Sequence, residues 1–315
     1  MHHEALDLSR LQPALPSPLQ QVEDERFARH GVTLLLKRDD LIHPDLPGNK
    51  WRKLAPNLRD AAGRTVLTFG GAYSNHLRAT AAAGRLLGFP TVGVVRGDEL
   101  TGRPLNPSLA QCAADGMRLH FVDRATYRTK TAPDVLDGLL SLFGECAVIP
   151  EGGSNAHAAQ GCRALGRELC GTADTVAVAC GTGGTLAGLA AGLGPEQRAL
   201  GVPVLRGGFL GEAVHDLQRK AFGGRAGRWS LDERFHFGGY ARTPPELHSF
   251  ADDFEDRHGL PVERLYVAKL LYALNALTGE GAFAPGSTVA AVITGRPWPT
   301  DGDRDPHPYA PSDSR

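Results

Sequence analysis

Lysine is scarce in this 315-residue chain: six of its 34 basic residues are lysine (37, 50, 53, 130, 220 and 269), and the rest are arginine. A GC-rich coding bias produces such a pattern. Each remaining lysine still invites a question, because arginine stays protonated and cannot act as a free amine. Net charge is also lacking, with 34 basic residues against 35 acidic ones. Phosphate neutralisation needs a clustered positive excess, so no nucleic-acid partner is expected. No apolar run approaches the ~20 residues that span a bilayer, and no membrane segment is expected. The start, MHHEALDLSRLQ, has neither the basic n-region nor the apolar h-region of a secretory signal, so a cytoplasmic enzyme is expected. The five cysteines (112, 146, 162, 170 and 180) form no CxxC pair. That excludes a disulfide framework and a zinc knuckle and points to reduced thiols. The unspaced histidines near the ends (2, 3 and 307) read as solvated termini, and no metal is expected.

What the chain does have is material for a sizeable core, with 42% hydrophobic and 22% charged residues. Its length suits two domains or one large α/β unit. Short β-branched runs at 32–37, 65–69, 91–95, 118–122, 147–149, 175–180 and 288–294 predict strands. Several are apolar nearly throughout, as in parallel strands covered on both faces. Helical patterns lie near 52–62, 75–88, 107–116, 155–170, 184–192, 211–223, 244–258 and 264–278. This alternation predicts open, doubly wound α/β sheets. The tail beyond Trp298 is rich in Pro, Asp and Ser, and flexibility is expected of 297–315.

Three glycine-rich turns follow predicted strands: TFGGAYSNHLRA, IPEGGSNAHAAQGC and VACGTGGTLAGL. In the third, Gly181, Thr182, Gly183, Gly184 and Thr185 lead into a helix. Bare backbone, free N–H groups and the helix dipole there suit a phosphate, and the threonines can add hydroxyl donors. A dinucleotide GxGxxG fails at Leu186, and the Lys-Ser/Thr of a P-loop is missing. A small phosphorylated cofactor fits this turn; so does a tight turn with no ligand. In the first turn, Ser74 and Asn75 sit where a helix cap is wanted, and capping accounts for the pair on its own. His76 follows on the helix. In HPDLPGNKWRKL, Lys50 opens a helix, where the dipole disfavours its ammonium. A lowered pKa is what a Schiff-base lysine needs, although a solvated Lys-x-Arg-Lys cluster has the same spacing.

KRDDLIHPDLPGNKWRKL, TFGGAYSNHLRATAAAGRLLG and IPEGGSNAHAAQG, followed by CGTGGTLAGL, HFGGYAR, LYVAKLLYAL and VITG, together resemble the 1-aminocyclopropane-1-carboxylate (ACC) deaminase / D-cysteine desulfhydrase family. These are pyridoxal-phosphate enzymes of the tryptophan-synthase-β-like fold, fold type II. The resemblance covers roughly 15–296. It implies two α/β domains with pyridoxal 5'-phosphate between them, the larger built from 1–51 and 151–296 and the smaller from 52–150. It also implies that Lys50 holds the cofactor and moves protons at the substrate α-carbon. Asn75 would bond the cofactor ring oxygen, and Gly181 to Thr185 would cup the phosphate. Ser74, Asn75 and His76 would stand near the substrate carboxylate and Tyr266 against the substrate, with Ser74, in an acid–base role, and Tyr266 counted as catalytic beside Lys50. Thr294 matches a cofactor-binding threonine, and Lys53 reads as structural or electrostatic. Homodimers are common in this fold, so a homodimer is expected, although no sequence feature marks an interface.

Two positions separate the subtypes. The deaminases follow the active tyrosine with Glu, which faces the pyridine nitrogen, and the desulfhydrases follow it with Thr; here Val267 follows. Thr294 keeps the desulfhydrase threonine, while Arg296 replaces the second glycine of their TGG. A protonated pyridine is a strong electron sink, which ring opening needs more than elimination of a good leaving group does. The leading expectation is therefore α,β-elimination of D-cysteine to pyruvate, ammonia and sulfide. ACC deamination and a specialised biosynthetic reaction of the same family are the alternatives. A pyridoxal-phosphate-binding protein without turnover is the alternative of a different class.

Overall fold

The computed structural model describes residues 6–46 and 48–297. The terminal histidines and the tail from Trp298 onward lie outside the described residues. The strands are β1 (Leu19–Val22), β2 (Thr33–Lys37), β3 (Thr65–Gly70), β4 (Thr91–Arg96), β5 (Met117–Val122), β6 (Cys146–Ile149), β7 (Thr175–Cys180), β8 (Arg198–Pro203), β9 (Trp229–Leu231) and β10 (Thr288–Val292). The α-helices are α1 (Glu25–Ala28), α2 (Asn49–Ala61), α3 (Asn75–Leu87), α4 (Pro107–Ala114), α5 (Arg124–Arg128), α6 (Pro133–Phe143), α7 (Ala156–Glu168), α8 (Gly184–Gly192), α9 (Leu210–Phe222), α10 (Pro245–His258) and α11 (Val267–Gly279).

The strands form two sheets, one ordered β1-β2-β10-β7-β8-β9 and the other β5-β4-β3-β6. The second is parallel throughout, and in the first only β1 runs antiparallel to its neighbour. Successive residues of β7 face opposite cores. Ala177 and Ala179 pack toward α11, while Val176 and Val178 pack toward α8 and α9. The second sheet behaves alike, with Val66 facing α2 and α3 and Leu67 facing α6. Double-sided burial explains why these strands read as apolar runs without clean alternation. The α/β class with doubly wound sheets is what the pattern predicts.

Glycine brings three helices into backbone contact below the site. A Cβ on Gly188 of α8 would lie 2.1 Å from the Ala159 carbonyl of α7, and one on Gly161 of α7 would lie 2.1 Å from the Arg52 carbonyl of α2. Alongside, Arg52 binds Asp39 through two donors at 2.8 Å and Glu168 through two more at 2.8 and 2.9 Å. Lys37 adds a 2.7 Å ion pair to Glu168. The helices that begin at Asn49 and Gly184 are thus locked to one another. Their N-termini form the floor of a cleft.

Candidate active site

A cleft of about 450 Å³ opens between the ends of the two sheets, lined from one side by the loop after β3 and from the other by the loop after β7. Both loops leave the carboxyl ends of parallel strands, where α/β proteins bind ligands. Lys50, Ser74, Asn75, His76, Gly181, Thr182, Gly183, Thr185 and Tyr266 all line it. Gly184 stands just behind, as the first residue of α8; a Cβ there would meet Ser154 Oγ at 2.7 Å. Thr294 is set behind Gly48 rather than on the wall, since a Cβ on Gly48 would fall 1.7 Å from the Thr294 carbonyl oxygen.

Lys50 is half-buried on the first turn of α2 and donates to Asn49 Oδ1 at 2.6 Å. Burial lowers its pKa to about 7, and the Lys53 charge pushes the same way. The main cause is thus desolvation. Asn49 in turn donates to Thr185 Oγ1 at 3.0 Å, tying the lysine's neighbour to the glycine loop. Lys53 is buried and donates to Ser154 Oγ at 2.9 Å and to the Gly152 carbonyl at 3.1 Å, so it braces the second glycine turn.

Ser74 does cap α3, accepting from the Leu77 N–H at 3.2 Å, and it faces the cleft as well. Asn75 accepts from Arg78. His76 is buried, and its Nε2 meets Thr68 Oγ1 at 2.8 Å. The Thr68 hydroxyl gives its one proton to the Ile149 carbonyl at 2.7 Å, so Nε2 must be the donor to Thr68. Burial, then the charges of Lys50 and Lys53, hold His76 well below its usual pKa and therefore neutral. Its Nδ1 carries a lone pair with no protein partner. A neutral ring in this tautomer can accept a bond in the cleft but cannot donate one to a carboxylate.

The loop after β7 presents bare backbone at the start of a helix. Gly183 has φ +82, and a Cβ there would lie 2.8 Å from Val214 Cγ2. A Cβ on Gly181 would sit 3.3 Å from the Tyr266 hydroxyl, so the phenol stands directly over this loop. Tyr266 is raised well above its usual pKa by burial and stays protonated. A bare N–H cradle over a helix N-terminus, a neutralisable amine beside it and an unpartnered acceptor in the wall together fit a phosphate-bearing aldehyde such as pyridoxal phosphate.

Two groups here escape a sequence reading. Glu263 is buried and accepts from the N–H groups of Leu265, Tyr266 and Val267 at 2.8, 2.7 and 3.3 Å, which fixes the start of α11 under Tyr266. Burial raises its pKa. Tyr240 also lines the cleft, with its ring edge-on to Tyr266 at 5.7 Å between centroids. The sequence signals for them are slight: Glu263 stands two residues before LYVAK, and Tyr240 lies inside HFGGYAR. The subtype positions lie off the cleft wall: Val267, the first residue of α11, is buried in the core, Thr294 stands behind Gly48, and the neighbouring Arg296 pairs with Asp40 at 3.3 Å.

Among the described residues no group of three or more His, Cys, Asp or Glu could hold a metal ion. Nor is any helix there long and apolar enough to cross a membrane. The five cysteines are free.

Residues 11–295 match the model of the family described as pyridoxal-phosphate dependent enzyme. A Pyrococcus abyssi protein, provisionally named a 1-aminocyclopropane-1-carboxylate deaminase, is 31% identical over 89% of this chain and 88% of its own. The Arabidopsis thaliana mitochondrial bifunctional D-cysteine desulfhydrase/1-aminocyclopropane-1-carboxylate deaminase is 32% identical over 84% of this chain and 73% of its own. The crystal structure of an ACC deaminase homologue superposes with a TM-score of 0.78 at 26% identity, covering 93% of this chain and 91% of that one. A chain matched along nearly its whole length, with its motifs gathered in one cleft, belongs to the pyridoxal-phosphate-dependent enzyme family.

Proposed function

We propose that this protein is a pyridoxal-phosphate-dependent lyase of small amino acids, and that D-cysteine is its substrate, converted to pyruvate, ammonia and sulfide. The observation that carries the reading is the placement of Lys50, its amine at about 7, in one cleft with the bare loop 181–184 and the helix start at Ser74. When bound, pyridoxal phosphate supplies an electron sink for the charge that develops at the substrate α-carbon. The N–H groups at the start of α8, with Thr182 and Thr185, would hold its phosphate, and Asn75 its ring oxygen. Lys50 would hold the cofactor and take the α-proton, which a half-deprotonated amine can do near pH 7.

Ser74 and the free N–H groups at the start of α3 would orient the substrate carboxylate, with Tyr266 donating from above. His76 is assigned a different part from the one the resemblance implies, as an acceptor in the wall. The α-proton and the hydrosulfide leave, and the released 2-aminoacrylate hydrolyses to pyruvate and ammonia. Val267 offers no carboxylate to the site, which favours elimination of a good leaving group over ring opening. Both activities appear together in the name of the Arabidopsis relative, so ACC is the second substrate to test. An amino-acid panel on the purified protein decides it. Sulfide and pyruvate from D-cysteine support the proposal, and 2-oxobutyrate from ACC alone overturns it in favour of deamination. Bound cofactor with no spectral response to any amino acid would make it a non-catalytic binder.

We also propose two domains, 1–51 with 151–296 and 52–150, supported by the fact that β3 to β6 all fall in the second range. A cytoplasmic homodimer is the proposed state of the protein. Sedimentation at micromolar concentration tests the dimer.

A further inference from the structure

Lys269 sits fully buried on α11, three residues past Tyr266, and none of the ion pairs found among the described residues involves it. Its Nζ donates instead to three backbone carbonyls of one loop, those of Gly239 at 2.8 Å, His236 at 3.0 Å and Tyr240 at 3.4 Å. That loop is bent for the purpose. Phe237, Gly238 and Gly239 have φ of +53, +87 and +135, a run that turns neighbouring carbonyls toward one point. The next two residues, Tyr240 and Ala241, reach the cleft wall, where Tyr240 meets Tyr266. An ammonium has three donors radiating from one atom and so suits three convergent carbonyls; a guanidinium is a flat fork and does not.

We infer that Lys269 is a positioning residue: its ammonium gathers the carbonyls of His236, Gly239 and Tyr240 and thereby holds Tyr240 against Tyr266 in the cleft. One helix then sets both phenols, carrying Tyr266 at its start and fixing Tyr240 through its first full turn. The kinetic part of the test rests on the function proposed above, and the exchange part does not.

The full chain is compared with Lys269→Gln, whose two coplanar donors end one bond short of the ammonium, Lys269→Met, Tyr240→Phe and the double variant Lys269→Met/Tyr240→Phe. Hydrogen exchange on the cofactor-free proteins should show residues 236–242 losing protection in both Lys269 variants while β7 and β10 keep theirs. In the loaded proteins, pyridoxal phosphate affinity should stay within about twofold, while kcat/KM for D-cysteine falls roughly tenfold in Lys269→Met and in Tyr240→Phe, with the double variant no worse than either single one. Unchanged protection at 236–242 in Lys269→Met overturns the inference, as does a double variant whose loss is the product of the two single losses. If exchange rises as stated but no variant or parent turns over any amino acid, the proposed function fails and the clamp stands.

Discussion

Most of the few lysines of this chain are withdrawn from solvent. Lys37, Lys53 and Lys269 are buried, Lys50 is half-buried, and of the six only Lys220, at 63% side-chain exposure, lies well out in solvent. Lys50, with its lowered pKa, is an amine that can lose its proton, and Lys269 is a compact point charge among three carbonyls; arginine supplies neither. Competitive acetylation of the cofactor-free protein across pH 6 to 11 should give Lys50 a midpoint of about 7, against ~10.4 for an ordinary lysine. A Lys50 midpoint near 10 would show that the cleft does not desolvate the amine. The same depression has a stability consequence. Between about 7 and ~10.4 the unfolded chain binds the Lys50 proton and the folded chain does not, so this group makes stability rise with pH across that window. Urea unfolding of Lys50→Met should therefore show a shallower rise from pH 7 to 10 than the parent shows. An equal slope would contradict the assignment.

At the scale of elements, the site depends on α2, α7 and α8 touching through glycine. Gly188→Val would drive side-chain atoms into the Ala159 carbonyl. It is expected to cost about 1–3 kcal/mol, read as a lowered urea midpoint. Gly48→Ala should be worse for function than for folding. Its Cβ would meet the Thr294 carbonyl at 1.7 Å from a backbone at φ +65, and relief requires moving the start of α2 and with it Lys50. Cofactor uptake, followed by the visible absorbance of the bound group, should fall sharply in this variant.

The glycine turns after β3, β6 and β7 are legible because glycine after an apolar run is itself a signal. The helix-packing glycines are not, since glycine inside a helix reads only as weak propensity. The sequence patterns leave out α1, α5 and α6 and the strands β1, β8 and β9; RALGVP of β8, for one, lacks a β-branched run. Gly201 in β8 is required because Leu186 and Leu231 crowd the space a Cβ would take.

For the whole molecule, what the sequence could not show is the joining of distant segments. Motif order singled out Lys50, Ser74 and the loop 181–185 as candidates, which the fold gathers at one cleft. It could not reveal that Lys269 binds carbonyls some thirty residues away, that Glu263 caps the helix below Tyr266, or that the His76 ring is turned toward Thr68. It also gave no hint of the buried Arg52, which links Asp39 at the end of β2 to Glu168 at the end of α7. Arg52→Met leaves those carboxylates short of a partner in the interior and should cost about 3–5 kcal/mol, measured by urea unfolding at pH 7. A loss below ~1 kcal/mol would show that solvent already screens the network.

The claim on which the rest depends is that Lys50 holds pyridoxal phosphate. Borohydride reduction of the loaded protein followed by peptide mass mapping tests it most directly, and only five other lysines compete with Lys50. The expected result is the cofactor mass fixed on the peptide containing Lys50 and on no other. The cofactor mass on Lys53 or Lys269, or no incorporation at all, would contradict it.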